Sequence, residues 1–199
     1  MTAPLTRIGI VAKHHLKQAA PHLEAISAWL KQRDLKAVFE IATAALGTNP
    51  CDWPVRDKKA LVREVDMVLV LGGDGTLLST ADSIGEAGLT IPILGVNFGS
   101  LGFLTEVTLP ELYPALETAV AGRAHIEERL MLRTTTSRQG RTFATHIALN
   151  DVVVAKTARS RLIDLSVSVG NEFLTRVKGD GLEFADLRPF VPGDRVRAA

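Results

Sequence analysis

The sequence predicts an α/β layer with a parallel sheet, followed by a β-rich second part. Three observations carry that expectation. Residues 66–71 are apolar without alternation, the pattern of a strand covered on both faces. The first 96 residues read strand, helix, strand, loop, strand, helix, strand, the order of a parallel α/β layer. From Ala124 onward the character changes. Residues 162–169 alternate, with Ile163, Leu165, Val167 and Val169 on one face and Asp164, Ser166 and Ser168 on the other.

The elements follow in order. Residues 8–12 form a short apolar strand. Leu16, Ala19, Ala20, Leu23, Ile26 and Leu30 recur at helical spacing, and Pro21 sets the helix start near itself. Residues 36–42 read as a second strand. Asn49, Pro50, Asp52 and Pro54 make residues 47–56 a loop. Residues 66–71 are the third strand, 75–87 a helix and 92–96 the fourth strand. Residues 109–121 are helical in pattern, with Pro110 near the start. Residues 126–136, 141–154 and 162–169 read as successive strands. The chain therefore divides into 1–122, an α/β part, and 123–199, a β-rich part.

Composition bounds the function. A chain of 199 residues with 46% apolar side chains can build a substantial core. Basic and acidic residues balance at 23 and 22, net charge +1, which gives no reason to expect a nucleic-acid surface. Cys51 stands alone, so no internal disulfide is possible and a reducing compartment is the simpler expectation. Residues 1–7 hold no long apolar leader, and the apolar runs are far short of a membrane span. A cytoplasmic protein acting on small molecules, away from membranes, is expected.

The third strand stops at Gly72-Gly73-Asp74-Gly75-Thr76, and a helix-like segment follows. The glycines leave backbone N–H groups open to close approach by ligand oxygens, and phosphate-bearing ligands suit such a turn. Asp74 repels bare phosphate. It becomes useful if it orients a hydroxyl, takes its proton, or holds a divalent cation against the phosphate. No Gly-Lys-Ser/Thr follows, so this is not a Walker loop, and the spacing is not that of the dinucleotide fingerprint. A tight turn with Asp74 as a helix cap is the plainer alternative.

A second cluster, Gly95-Val96-Asn97-Phe98-Gly99-Ser100-Leu101-Gly102-Phe103-Leu104-Thr105, follows the fourth strand. Carboxyl ends of strands line the ligand crevice of an α/β sheet, so the two clusters can meet. Asn97 can bond a ligand amide or hydroxyl, and Phe98 or Phe103 can lie against a flat ring; packed loop phenylalanines are the alternative. In the β-rich part, Asn150-Asp151 interrupts an apolar run, and such groups need partners if buried. A ribose diol suits Asp151, and a turn at a strand end is the competing reading. Lys178-Gly179-Asp180-Gly181 reads as a turn in which Lys178 meets phosphate or pairs with Asp180. Arg159 and Arg161 supply charge or are simply solvated. The five histidines show no metal-ligand spacing.

Together these motifs resemble the ATP-NAD kinases. The Gly-Gly-Asp-Gly-Thr turn, the cluster from Leu94 to Thr105, the pair Asn150-Asp151 and the element Lys178-Gly179-Asp180-Gly181-Leu182 each match a family motif, over residues 5–182. Close variants of the first motif occur in diacylglycerol, sphingosine and 6-phosphofructo-kinases, so a lipid or sugar kinase is the alternative class; a catalytically impaired nucleotide-binding remnant is another. The resemblance implies an α/β domain joined to a β-rich domain, with NAD between them. It implies that Asp74 orients or deprotonates the ribose 2′-hydroxyl, and that Gly72, Gly73, Gly75 and Thr76 face NAD or the phosphate donor. It implies nucleotide binding by Asn97, Phe103, Asn150, Asp151, Arg161, Lys178 and Asp180. ATP as donor, NAD as substrate, Mg²⁺ or another divalent cation, and a homodimer or homotetramer complete the expectation. The family continues past this element into Thr-Pro-Thr-Gly-Ser-Thr-Ala-Tyr, whereas this chain reads Glu183-Phe184-Ala185-Asp186-Leu187-Arg188-Pro189. The β-rich part is therefore expected to lack its later strands.

Overall fold

The computed structural model describes residues 5–47, 52–99, 102–149, 151–157, 162–185 and 196–198. Contacts divide the chain into two compact units, Met1–Arg129 and Leu130–Ala199. The first contains β1 (Arg7–Ala12), α1 (Ala20–Lys31), β2 (Lys36–Glu40), α2 (Ile41–Ala44), β3 (Val55–Arg56) and α3 (Lys58–Glu64). It continues with β4 (Met67–Leu71), α4 (Asp74–Glu86), β5 (Ile93–Asn97), β6 (Val107–Thr108) and α5 (Leu112–Val120).

These six strands form one parallel sheet in the order β3-β2-β1-β4-β5-β6. The chain runs outward from β1 to β3, then returns to lay β4 on the other side of β1. Strand order thus reverses between β1 and β4, and the crevice of such a sheet opens at the carboxyl ends of that pair.

Helices cover both faces of the sheet. Ile8, Ile10, Met67, Leu69 and Leu71 point into one cluster with Leu23, Ile26 and Leu30 of α1 and Leu112 and Leu116 of α5. Gly9 faces the other way, where an added Cβ would lie 2.5 Å from Leu61 Cδ2 of α3. Gly95 does the same against Leu77 Cδ1 of α4, at 2.8 Å. Double coverage explains why Val68, Leu69, Val70 and Leu71 are all 0% exposed, and why their sequence does not alternate.

Several element boundaries differ from the sequence expectation. The second strand ends at Glu40, whose carboxylate accepts from the Thr43 N–H and caps α2. A helix absent from the sequence reading, α3, starts where Asp57 accepts from the Ala60 N–H. Its seven residues are too few for helical periodicity to declare itself. The expected helix over 109–121 begins as a 3₁₀ turn, Leu109–Glu111, where the Thr108 N–H and hydroxyl both donate to the Glu111 carboxylate.

The second unit is antiparallel and holds β7 (Leu132–Arg138), β8 (Arg141–Ala148), β9 (Asp151–Ala155), β10 (Ile163–Val169), β11 (Glu172–Gly179), β12 (Gly181–Ala185) and β13 (Val196–Ala198). Its sheets are β7-β8, β9-β12 and β11-β10-β13. Gln139 and Gly140, at φ 51° and 74°, make the two-residue turn of the first hairpin. The single strand expected over 141–154 is two strands with different partners, β8 on β7 and β9 on β12. Local patterning does not reveal a change of partner. The expected turn at residues 178–181 is also tighter than its motif suggests. Lys178 and Gly179 stay on β11, Asp180 alone intervenes, and Gly181 opens β12 in register with Ala155. An added Cβ there would meet the Val154 carbonyl at 2.5 Å, so the pairing requires glycine.

Candidate active site

The turn after β4 joins the second glycine cluster through one side chain. Asp74 is the first residue of α4, half-buried, and Gly73 is the N-cap. Its Oδ2 accepts from the Phe103 N–H at 2.8 Å. Its Oδ1 accepts from the N–H groups of Leu104 (3.1 Å) and Thr105 (3.0 Å) and from the Thr105 hydroxyl (3.0 Å). Both strand-end clusters predicted to meet do so, over a separation of about thirty residues in the chain.

Burial pushes the Asp74 carboxyl up, but the donors on Phe103, Thr105 and Leu104 outweigh it and hold the group below the ordinary carboxylate range. It is therefore an ionised acceptor at neutral pH. Close approach depends on Gly102, where an added Cβ would sit 2.2 Å from Asp74 Oδ1. A side chain there would expel the carboxylate or the segment.

Gly73 and Gly75 are glycines for a different reason. Gly73 has φ −111°, open to any residue, and an added Cβ at either position meets no atom of the described residues within 4 Å. Among the described residues, neither packing nor backbone strain accounts for them. Space beside exposed N–H groups at a helix start suits an anionic ligand. Gly72 is packed instead, with Thr76 Oγ1 2.9 Å and Lys13 Cβ 3.0 Å from its added Cβ. The Thr76 hydroxyl therefore lies over Gly72.

The remaining predicted residues fall in different settings. Asn97, 6% exposed, donates from Nδ2 to Thr105 Oγ1 (3.1 Å) and accepts the Gly99 N–H at Oδ1 (2.7 Å). Its carboxamide holds the loop together. Phe103 is 93% exposed, whereas Phe98 packs against the core with its ring edge-on to His22 at 5.4 Å. In the second unit Asp151 opens β9 and is exposed, paired in register with Ala185. Lys178 lies exposed on β11 opposite Asp164. Asp180 is bonded to Lys156 at 2.8 Å rather than to Lys178. Asn150 and Arg161 lie outside the described residues.

Sequence reading alone does not single out Thr105 as a site residue. It is 0% exposed and touches both Asn97 and Asp74. Only its place at the end of the second glycine cluster marks it in the sequence. Among the described residues, no three His, Cys, Asp or Glu side chains converge as a metal cage.

A doubly wound α/β unit with a glycine-lined, carboxylate-bearing turn beside its switch point defines a class, the α/β proteins that take phosphate-bearing ligands at strand ends. Residues 8–124, more than half of the chain, match the ATP-NAD kinase N-terminal domain, and the chain belongs to that family. It is 43% identical over 183 residues to the NAD kinase of Geobacter sulfurreducens, covering 89% of this chain and 61% of that protein. It is 40% identical over 178 residues to the NAD kinase of Citrifermentans bemidjiense, with the same coverage. The chain thus spans about three-fifths of the length of these curated relatives. Yeast NADH kinase complexed with NADH superposes with TM-score 0.79 at 22% identity, over 92% of this chain and 58% of that one. An NAD kinase from Archaeoglobus fulgidus in complex with ATP gives 0.65 at 23% identity, over 90% and 60%. The α/β sheet followed by antiparallel strands is the fold of those structures.

Proposed function

We propose that the chain is an NAD kinase, transferring the terminal phosphoryl group of ATP to the 2′-hydroxyl of the adenine-side ribose of NAD. The observation that carries this reading is the Asp74 carboxylate, ionised and fixed beside two glycines whose open sides no atom of the described residues fills. Family membership and the relatives' kinase names support it. In the proposed step the 2′-oxygen forms a bond to the γ-phosphorus. The bond from that phosphorus to the β–γ bridging oxygen breaks, ADP leaves, and the hydroxyl proton is released.

Asp74 contributes by accepting the hydroxyl's hydrogen bond and aiming its oxygen. With its proton affinity lowered, it serves as an orienting acceptor first and as a proton acceptor only as the oxygen becomes acidic in transfer. The N–H groups at the start of α4 would stabilise the donor's phosphates. A divalent cation would arrive with ATP on its phosphates, as Mg²⁺ commonly does. Asn150, Asp151, Arg161, Lys178 and Asp180 are proposed NAD-binding residues, Phe103 a surface for a flat ring, and Thr76 a group facing substrate. The division at 122/123, a cytoplasmic location and a homo-oligomeric state belong to the same proposal. Among the described residues, no helix is long and apolar enough to cross a membrane.

The direct test is NADP formation by the 199-residue chain supplied with NAD, ATP and Mg²⁺. Diacylglycerol and fructose 6-phosphate serve as rival acceptors, and product from either in place of NADP would reject the assignment. One observation favours a second reading, nucleotide binding without turnover: four hydrogen bonds already occupy Asp74. Calorimetric binding of NAD and ATP with no NADP formed would select it.

A further inference from the structure

The four bonds to Asp74 are not shared evenly between its oxygens. Oδ1 takes three donors and Oδ2 takes one. A carboxylate oxygen offers about two lone-pair sites, so Oδ1 is filled and Oδ2 keeps room for another donor. The direction of each proton follows from chemistry. Asn97 Oδ1 accepts the Gly99 N–H, which turns Nδ2 toward Thr105. An amide nitrogen only donates, and an ionised carboxylate only accepts. The Thr105 hydroxyl must therefore accept from Asn97 and donate to Asp74. Thr105 is fully buried and Asn97 nearly so, and low local polarity strengthens such a chain while penalising any break in it.

We infer that Thr105 is a positioning residue for the proposed transfer: its buried hydroxyl, held by Asn97, pins Oδ1 of Asp74 and leaves Oδ2 as the oxygen offered to the ligand hydroxyl. This inference rests on the kinase reading. It assigns Asn97 an indirect role through Thr105, in place of direct contact with nucleotide. A methyl-for-hydroxyl exchange leaves the Asn97 amide without this acceptor and removes one of the four donors on Asp74, so that backbone N–H groups alone hold the carboxylate. Serine keeps the hydroxyl.

The test compares Thr105→Val and Thr105→Ser in the full chain. Thr105→Val is expected to lower kcat for NAD phosphorylation about tenfold, the scale of one hydrogen bond to a charged group, with KM for ATP little changed. The Asp74 carboxyl, followed by carbon-13 NMR, is expected to titrate at higher pH because its ionised form has lost a donor. Thr105→Ser is expected to restore both. A folded Thr105→Val protein with unchanged kcat and unchanged Asp74 titration would overturn the inference, as would a serine variant as impaired as the valine one. Should Thr105→Val fail to fold, the unsubstituted chain supplies the readout. Its Thr105 hydroxyl proton is expected to exchange slowly and to shift as Asp74 titrates, and a rapidly exchanging proton insensitive to Asp74 would reject the assignment. An unsubstituted chain that makes no NADP would refute the kinase reading itself, while the NMR titration separately decides whether Thr105 controls Asp74.

Discussion

The two units of this chain solve the burial problem to very different degrees. In the first, helices cover both faces of a parallel sheet, and β4 is fully enclosed. In the second, Leu165 and Val167 are the buried apolar side chains among the described residues, while Phe143, Phe173 and Leu174 stand about two-thirds exposed. Both units have abundant β hydrogen bonding, so pairing alone does not make a core. An antiparallel sheet buries a face only when another layer lies on it. The contrast also locates precision. The carboxylate that the first unit holds within 3.1 Å of four donors opens the helix that follows the enclosed strand β4, whereas Asp151 and Lys178 lie exposed on their strands.

Asp74→Asn keeps the shape and removes the charge. NADP formation is expected to fall by about 10²–10⁴-fold, the range for losing a positioned acid–base group, with circular dichroism unchanged. Near-normal turnover would remove Asp74 from the mechanism.

Next comes the stability contrast. Leu69→Ala in β4 is expected to cost about 2–5 kcal/mol, because an enclosed side chain leaves a cavity. Phe173→Ala in β11 is expected to change stability by about 0.5 kcal/mol or less, because its ring is mostly solvated already. Urea unfolding of the two variants measures both. Equal losses would show that the second unit buries far more than its exposed rings indicate.

The smallest effect concerns pH. Burial raises the Asp66 carboxyl, but the N–H groups of Thr6 and Arg7 and the Thr6 hydroxyl lower it further, and the net shift is downward. A carboxyl depressed in the folded state contributes stability above its unfolded value, near pH 4, and loses it as pH falls through the lower folded value. Asp66→Asn is therefore expected to flatten the acid side of the stability curve below about pH 4 while altering the second unit little. Thermal melts at pH 3 and pH 7 would expose a wrong sign directly.

The sequence and the structure meet unevenly. Strand β4, the glycine turn and helix α4 were legible because double coverage, a glycine pair and helical spacing all write themselves locally. Helix α3 was not, because seven residues carry less than two clear helical repeats beyond a proline-rich loop. The break between β8 and β9 was not, because a strand's partner is chosen by distant residues. Asp74 was legible by its position in the turn, but its bonding to residues 103–105 was not, since those donors come from another strand end.

By itself, the amino-acid order determined the parallel α/β layer of the first unit, the change to a β-rich second part, and the identity of the residues at the strand ends. Those features follow from short-range rules of pleat, helix pitch and glycine geometry. Tertiary structure alone decided which oxygen of Asp74 is filled, that Thr105 and Asn97 hold it, that Gly102 must lack a side chain, and that Asp180 pairs with Lys156. Those outcomes depend on distances between segments far apart in the chain, and no local pattern records a distance.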